Sequence, residues 1–429
     1  MSAARTWPRI AAWIFAFTCF LPYPALAIGS NTGLQISQLL ALAAAPLLCL
    51  RAPGRSFRAL VLILVPIAVS AFVNLISGAT LSPDLLPKEG VAMALALGVL
   101  WPAEWVARRD LFRFALSAAC AAILFHAMIG LYQVYGFAHD EFPLLFLYKN
   151  PSFKPMESWS EVYALYIKRP CGLFPEPSAM TASLGPWVVL LAGLLLDARL
   201  ARGLRWRGGR LASAALGLGF LLIALSRSGA TFVIMAAVAL FCAAQAPSWL
   251  RTFGPGKLAA VALVLVAALA SVGYGAIRLT EGFEERVESS WGLRALSIHA
   301  GLTANTDPAG LAFGVGPGHS TPVLRRALSW VRLPDDQDDL AVFSLAVCYY
   351  METGFLGALA LSAVLAMVLT AVVRSGARLL GFCTLGTWLF SVGATTSYIA
   401  LSPLWLFLAA LLSWDRLFPA TTEVARDEN

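Results

Sequence analysis

The chain has little charge for its length. Asp, Glu, Lys and Arg make up 13% of its 429 residues, hydrophobic residues make up 59%, and the mean hydropathy is +0.75. A soluble domain carries roughly 25% charged and about 45–50% apolar residues, so this composition excludes an ordinary soluble protein. The chain also lacks tandem repeats and low-complexity tracts. These features together predict one polytopic membrane domain over residues 1–429.

Cysteine is scarce, and its positions do not indicate a disulfide framework. Only Cys171 falls in a segment that we expect outside the membrane, and the spacing of the seven cysteines is not typical of a metal site. We therefore expect no metal and no cofactor. The other six cysteines lie within apolar runs: Cys19, Cys49, Cys120, Cys242, Cys348 and Cys383.

Long apolar runs dominate what is present. A membrane-spanning helix needs about 20 apolar residues, and backbone groups in lipid can be satisfied only within helices or closed barrels. The sequence therefore predicts an all-α fold with about 12 transmembrane helices. Run 341–373 is either one tilted helix or a helix broken near Gly354. The predicted runs are 8–28, 33–50, 59–77, 90–107, 111–136, 178–197, 211–225, 229–246, 258–276, 341–373, 379–396 and 399–418.

Arginine and lysine set the expected orientation. With the N-terminus inside, every short inner loop is basic and the outer segments are net acidic, as the positive-inside rule requires. Both termini are then cytoplasmic, and the net charge of +7 reflects topology, so it gives no reason to expect nucleic acid. The first run imitates a signal peptide that ends at Ala25-Leu26-Ala27, and we interpret it as a retained first helix.

The two long outer segments, 137–177 and 277–340, should carry the functional site, because the short inner loops hold no catalytic domain. The first ends in Arg169-Pro170-Cys171-Gly172-Leu173-Phe174-Pro175-Glu176-Pro177-Ser178. Its prolines favour a rigid lead-in, and Glu176 suits a helix N-terminus. The second segment, with the large loop subdomain, contains Arg294. Each arginine has a simpler interpretation, as a solvated or headgroup-level side chain.

Arg227 occupies a short polar break, Ser226-Arg227-Ser228-Gly229, between two apolar runs. A break this short predicts a tight outer turn between two spanning helices. A lone cation near membrane depth indicates a functional site unless it simply pairs with lipid phosphate. It needs an anionic partner.

Further candidates lie in and after the second segment. Gly314-Val315-Gly316-Pro317-Gly318 could let backbone approach a ligand or simply form a turn, and His319 after it is the best placed outer base. The acids 335–339, including Asp338 and Asp339, could supply a base or cap the next helix. Glu352, inside an apolar run, needs a partner and could orient an arginine.

These strings, in this order, resemble the O-antigen polymerase and O-antigen ligase family of GT-C-type membrane glycosyltransferases. The resemblance rests on the Arg169 to Pro177 string, Ser226-Arg227-Ser228-Gly229, Arg294, the glycine string and Glu352-Thr353-Gly354-Phe355-Leu356-Gly357. It covers roughly 165–360. It implies twelve helices in the bacterial inner membrane, with the largest periplasmic loop after the ninth.

The resemblance also implies a reaction. Family members transfer glycan, inverting and without metal, from an undecaprenyl-diphosphate-linked oligosaccharide. Arg169, Arg227 and Arg294 would bind the diphosphate, and His319, Asp339 and Glu176 would be the candidate catalytic residues. Gly172, Gly314, Gly316 and Glu352 would shape or orient the site. A flippase and a chain-length regulator are the expected partners, besides membrane lipid.

One departure from the family pattern affects the choice of reaction. Ligases carry a histidine about nine residues before the glutamate of the last string, whereas this chain has Val342-Phe343-Ser344 there. The departure favours a polymerase of repeat units for O-antigen, capsule or exopolysaccharide over a ligase acting on lipid A core or another acceptor. A flippase or transporter is the alternative of another class. Transporters tend to show repeated halves and midplane polar residues. Here ionisable residues within the predicted spans are scarce, with Glu104 and His126 as exceptions, and the candidates gather at the expected outer face, which favours an enzyme.

Overall fold

The computed structural model describes residues 3–29, 32–48, 54–78, 85–153, 156–249, 290–328, 342–396 and 398–420. The described residues are mostly helical, with 77% in helices and 2% in strands, which fits the predicted all-α membrane-protein class. The strand belongs to a short antiparallel hairpin in which Ala25 pairs with Gln35. The two strands are β1 (Ala25–Gly29) and β2 (Thr32–Gln35).

The helices follow the apolar runs closely. In chain order they are α1 (Ala3–Cys19), α2 (Ile36–Leu48), α3 (Arg55–Ser77), α4 (Leu85–Gly98), α5 (Leu100–Val106), α6 (Arg109–Phe137), α7 (Met156–Val162), α8 (Pro177–Leu196), α9 (Ala198–Gly203), α10 (Gly209–Leu225), α11 (Ala230–Trp249), α12 (Ser290–Thr303), α13 (Pro308–Phe313), α14 (Ser320–Ala327), α15 (Leu345–Arg374), α16 (Arg378–Ala394), α17 (Ser402–Leu412) and α18 (Trp414–Leu417).

Five of these helical stretches are long and apolar enough to cross a membrane: α3, Leu86–Val106 across α4 and α5, α6, α8 and α15. The shorter apolar helices are α2, α10, α11, α16 and α17. The predicted run 258–276 lies outside the described residues, so the number of twelve spans stays a prediction. The runs that do fall within the described residues each contain a helix.

Two predicted runs are shorter in the structure than expected. Run 8–28 ends as a helix at Cys19 and continues into the hairpin, because Pro22 and Pro24 cannot continue a helix. Run 399–418 contains α17 and the single turn of α18, which are separated at Ser413. The structure therefore places more irregular backbone at the helix ends than the apolar pattern predicts.

Helices α8 and α17 form the centre of the bundle. Every residue from Pro177 to Leu194 is buried, and so is every residue of α17. A helix that is apolar on all faces is buried either in lipid or among other helices, and α8 packs against α10, α11, α16 and α17. The N-terminus of α8 therefore opens near the middle of one end of the bundle.

Polar contacts close the two ends of the bundle separately. At the end that holds the hairpin, Gln35 Nε2 donates to the Ala400 carbonyl at 2.7 Å, and the Ser37 and Ser402 hydroxyls lie 2.9 Å apart. At the opposite end, the Arg55 guanidinium makes a two-pronged ion pair with Asp415 at 2.7 and 2.9 Å. Every expected outer segment with described contacts lies at the hairpin end, which we call the outer end.

Helix α15 is interrupted at Gly354, whose φ of +63° and ψ of −155° are not helical. A Cβ on Gly354 would lie 2.5 Å from the Gly314 nitrogen, so only glycine allows the two segments to approach this closely. The amides of Val315 and Gly316 donate to the carbonyls of Met351 and Glu352 at 2.9 and 3.1 Å. Of the two alternatives for run 341–373, the structure shows the helix broken at Gly354, and the break contacts the glycine string.

Candidate functional site

Three polar side chains meet where α8 begins at the outer end. The Ser178 hydroxyl donates a short hydrogen bond to the Glu176 carboxylate, and Arg294 Nη2 donates to the same Ser178 oxygen at 3.4 Å. Pro177 occupies the first helical position and Glu176 the position before it, where the helix dipole favours a negative charge. We call Glu176, Ser178 and Arg294 the acid–arginine cluster.

Arg294 is held in this cluster from two further directions. Its Nη1 donates to the Thr395 carbonyl at 3.0 Å, just past the end of α16. Its guanidinium carbon lies 4.6 Å from the centre of the Phe343 ring, a distance at which a cation is attracted to the aromatic face. Contacts from α8, α16 and the residue before Ser344 thus fix a guanidinium that comes from the second outer segment.

The turn that carries Arg227 lies against the first turn of α8. The Ser226 and Thr181 hydroxyl oxygens are 3.0 Å apart, and Ser226 also donates to the Ile223 carbonyl at 2.6 Å. Arg227 has a φ of +49° and an exposed side chain. Within the described residues its guanidinium has no hydrogen bond and no ion pair. The predicted tight turn therefore lies against α8 at Thr181, three residues past Ser178 of the acid–arginine cluster.

Arg169 lies near Tyr163, a phenol that also interacts electrostatically with Glu176 of the cluster. Burial raises the pKa of the Tyr163 phenol well above its usual value, electrostatic interaction with Cys171 and Glu176 raises that pKa further, and Arg169 lowers it. Arg169 is half-buried and makes no ion pair within the described part of the chain. One phenol therefore feels both Arg169 and the cluster's acid.

A buried amide of α6 anchors the lead-in between Arg169 and α8. Gln133 Oε1 accepts from the backbone amides of Cys171 and Gly172, both at 3.0 Å, and its Nε2 donates to the Gly172 carbonyl at 3.1 Å. The Tyr148 hydroxyl donates to the same carbonyl. Gly172 has a φ of +58°, which favours glycine. The rigid lead-in therefore depends on hydrogen bonds as well as on prolines.

His126 of α6 provides a second anchor for the lead-in. Its Nδ1 accepts from the Leu173 amide at 3.1 Å, and its Nε2 lies 2.8 Å from the Phe20 carbonyl. The ring is fully buried, and a Cβ on Gly172 would lie 2.8 Å from Nδ1. His126, an ionisable residue inside an apolar run, thus has a structural role: it holds the lead-in from which α8 begins.

His319 lies at the end of the glycine string, where it is 2% exposed. Its Nδ1 is 3.0 Å from the Pro317 carbonyl. A carbonyl can only accept, so this contact places the proton on Nδ1 and leaves a lone pair on Nε2. That nitrogen is buried without a partner among the described residues. Gly314 and Gly316 have φ of +74° and +93°, and both glycines pack against the chain itself.

Glu352 is 2% exposed and lies at the N-terminus of α14. Its Oε1 accepts from the Ser320 hydroxyl at 2.7 Å, while its Oε2 has no partner in the described ranges. It makes no ion pair with an arginine there. The contact with Ser320 joins α15 to the residue after His319. Asp338 and Asp339 lie outside the described residues.

Several contacts that build the site were not expected from the sequence. Ser178, Thr395 and Phe343 hold Arg294, and Gln133 holds the lead-in. Gln133 could have been noticed, since an amide inside an apolar run needs a partner. Groups of three or more His, Cys, Asp or Glu side chains placed to hold a metal do not occur in the described part of the chain.

Comparison with protein-family models finds no match, and comparison with curated proteins finds none either.

The role of Gln133 in holding the lead-in can be tested by measuring how fast the buried Cys171 thiol is labelled. Burial raises the pKa of the Cys171 thiol to about 12, so the wild-type thiol should react very slowly with N-ethylmaleimide at pH 8. Gln133→Leu leaves two buried amides without an acceptor, which costs ~1–3 kcal/mol. Labelling of Cys171 should then accelerate on the order of tenfold, as measured by site-resolved mass spectrometry.

The matched control is Tyr132→Phe, because Tyr132 is the neighbouring residue on α6 and is 50% exposed. Its labelling rate should equal that of the wild type. Equal rates in Gln133→Leu and wild type would show that the lead-in is held without this amide.

Proposed function

We propose that the chain is a membrane glycosyltransferase that polymerises undecaprenyl-diphosphate-linked oligosaccharide repeat units at the periplasmic face of the bacterial inner membrane. The single observation that carries the proposal is that the Arg227 turn and the acid–arginine cluster both lie against the first five residues of one buried helix, α8. A lipid-linked diphosphate would arrive at this depth, with its tail in the bilayer.

The two arginines offer complementary ways of holding a diphosphate. Arg294 is prepositioned by Ser178, Thr395 and Phe343, so little side-chain entropy remains to be lost on binding. Arg227 is exposed and unpaired in the described structure, and a planar guanidinium donates paired hydrogen bonds to phosphate. Arg169 adds positive potential nearby. Cations fixed where negative charge develops favour the departure of the diphosphate.

The reaction would form one glycosidic bond and break one sugar–phosphate bond. The acceptor hydroxyl oxygen attacks the anomeric carbon from the face opposite the diphosphate, which leaves with the bonding electron pair. The hydroxyl proton passes to a base. We assign that role to His319, because its Nδ1 proton is held by Pro317 and its Nε2 lone pair is unpartnered in the described structure. Glu176 orients Arg294 through Ser178.

The position of Phe343 favours a polymerase over a ligase. The family's ligases carry a histidine at about this place, and here the corresponding side chain is an aromatic ring 4.6 Å from Arg294. A histidine there would meet the arginine that we assign to the diphosphate. A transporter is disfavoured because the candidate residues gather at the outer end, whereas transporters bind near the midplane.

Substituting the arginines should abolish polymer in cells while the protein still inserts in the membrane. Arg294→Ala removes a fixed cation, and loss of one such donor costs about 10²–10³ in rate. Arg227→Asn removes the charge but tolerates the positive φ of this turn. Polymer is measured by glycan electrophoresis and protein level by immunoblot. Arg326→Ala, an exposed arginine of the same outer segment, should leave polymer unchanged.

Normal polymer in both the Arg227 and Arg294 variants would contradict the assignment of these arginines to the donor diphosphate. Arg227→Lys should retain only part of the activity, since a point charge replaces the fork.

Substitutions of His319 and Glu176 distinguish the role of the assigned base from the role of the residue that orients Arg294. His319→Gln should lower kcat for transfer by about 10²–10⁴ with little change in the KM for the lipid donor, since general-base catalysis contributes that much. Glu176→Gln should instead raise the donor KM through loss of Arg294 positioning. The measurement is release of undecaprenyl diphosphate by purified protein in nanodiscs. A kcat loss confined to Glu176→Gln would transfer the base role to that carboxylate.

The glycan lipids of a deletion strain distinguish polymerase from ligase. Loss of a polymerase should leave single repeat units on the final lipid or in the medium, because downstream transfer still accepts them. Mass spectrometry of the extracted lipids identifies the species. Full-length chains retained on the undecaprenyl carrier would indicate a lost ligase and would overturn the choice made here.

A further inference from the structure

A cavity of about 190 Å³ opens at the outer end of the bundle, between the hairpin, residues 89–96 of α4 and the residues just before α17. Its walls are mixed. Met93 and Ile399 are apolar, Tyr398 is aromatic, and Gln38 and Glu89 are polar. For scale, a cavity of ~150 Å³ is large enough to hold a six-membered ring. None of the residues assigned to the donor site lines it.

The cavity carries a hydrogen-bond donor and an acceptor that the described protein does not use. Gln38 is 3% exposed, and its Oε1 accepts from the Gln35 amide at 3.0 Å. Its Nε2 has no partner among the described residues. Glu89 is half-buried, and its carboxylate likewise has neither an ion pair nor a hydrogen bond there. Polar groups at a partly closed surface are costly unless a ligand or water pairs with them.

The cavity lies between the arginine that we assign to the donor and the assigned base. On one side, the turn that supplies Tyr398 also supplies the Thr395 carbonyl that accepts from Arg294. Three residues of chain span at most ~11 Å. On the other side, a Cβ on Gly318 would lie 2.4 Å from Glu89 Cγ, so Glu89 packs on the residue before His319.

We propose that this cavity binds one sugar ring of the acceptor glycan, with Glu89 accepting hydrogen bonds from its hydroxyl groups and Gln38 Nε2 donating to a ring oxygen. The inference rests on the proposed function, and it adds the location of the acceptor. A phosphate would be repelled by Glu89, and a lipid chain would leave both polar groups unpaired. A sugar has hydroxyl groups for the polar wall and an apolar ring face for Tyr398 and Ile399.

The probe is the repeat-unit oligosaccharide, released from its lipid carrier by mild acid, and the protein is the full chain in nanodiscs. Isothermal titration calorimetry should give a Kd that rises on the order of tenfold or more in Glu89→Gln and in Gln38→Leu, since hydrogen bonds to a charged or buried group contribute this much. Ala92→Phe, which fills the cavity with a ring, should abolish binding in a folded protein.

The control is Lys88→Gln, because Lys88 precedes Glu89, is exposed and does not line the cavity. Its Kd should equal that of the wild type. Wild-type affinity in Glu89→Gln, Gln38→Leu and Ala92→Phe would overturn the inference. Loss of oligosaccharide binding in Arg227→Asn would also overturn the inference, since the sugar would then occupy the donor site.

A transfer assay keeps this inference separate from the proposed function. With the lipid-linked repeat unit as donor, Glu89→Gln should raise the KM for the soluble oligosaccharide about tenfold and leave the donor KM unchanged. Transfer with an unchanged acceptor KM would reject the acceptor site while the glycosyltransferase stands. Absence of transfer by the wild type, together with oligosaccharide binding that depends on Glu89, would reject the polymerase and retain a sugar site.

Discussion

The outer end of the protein depends on the burial of α8. Every residue of α8 from Pro177 to Leu194 is buried, and α10, α11, α16 and α17 pack around the helix. Its N-terminus therefore lies at the centre of one end, where Glu176 and Ser178 meet Arg294 from a distant segment. The same first turn holds the Arg227 turn through Thr181. One buried helix thus determines where three separate charged groups can come together.

Two buried polar residues of α6 determine how α8 begins. Gln133 and His126 accept the backbone amides of the lead-in from Cys171 to Leu173. In an apolar surrounding, an unsatisfied amide is costly, so these contacts leave the lead-in little freedom. Helix α15 shows the same relation at its break. There the carbonyls of Met351 and Glu352 are paired by the glycine string, which brings His319 to the outer end.

The outer end has two parts of different charge: a cationic part with Arg227 and Arg294, and an acidic part with Glu89. Arg227 and Arg294 suit an anionic leaving group, whereas Glu89 and Gln38 suit a neutral, hydroxyl-rich ring. Glu89 lines a cavity whose wall shares a turn with the Arg294 anchor. Opposite preferences on adjacent surfaces would place a donor diphosphate and an acceptor sugar in defined orientations, which is the main requirement for transfer between two bound glycans.

The all-α membrane class, most helix positions and the tight turn at Arg227 could be predicted from the sequence, which also offered a break near Gly354 as one of two alternatives. Apolar runs, short polar breaks and glycines act over a few residues, so their effect can be predicted locally. Only the tertiary structure decided that Ser178 joins Glu176 to Arg294, that Phe343 stacks on that arginine, and that Glu89 faces a cavity with Gln38. These pairs are tens to hundreds of residues apart or depend on which helix ends meet, and that follows from packing around α8 rather than from any local pattern.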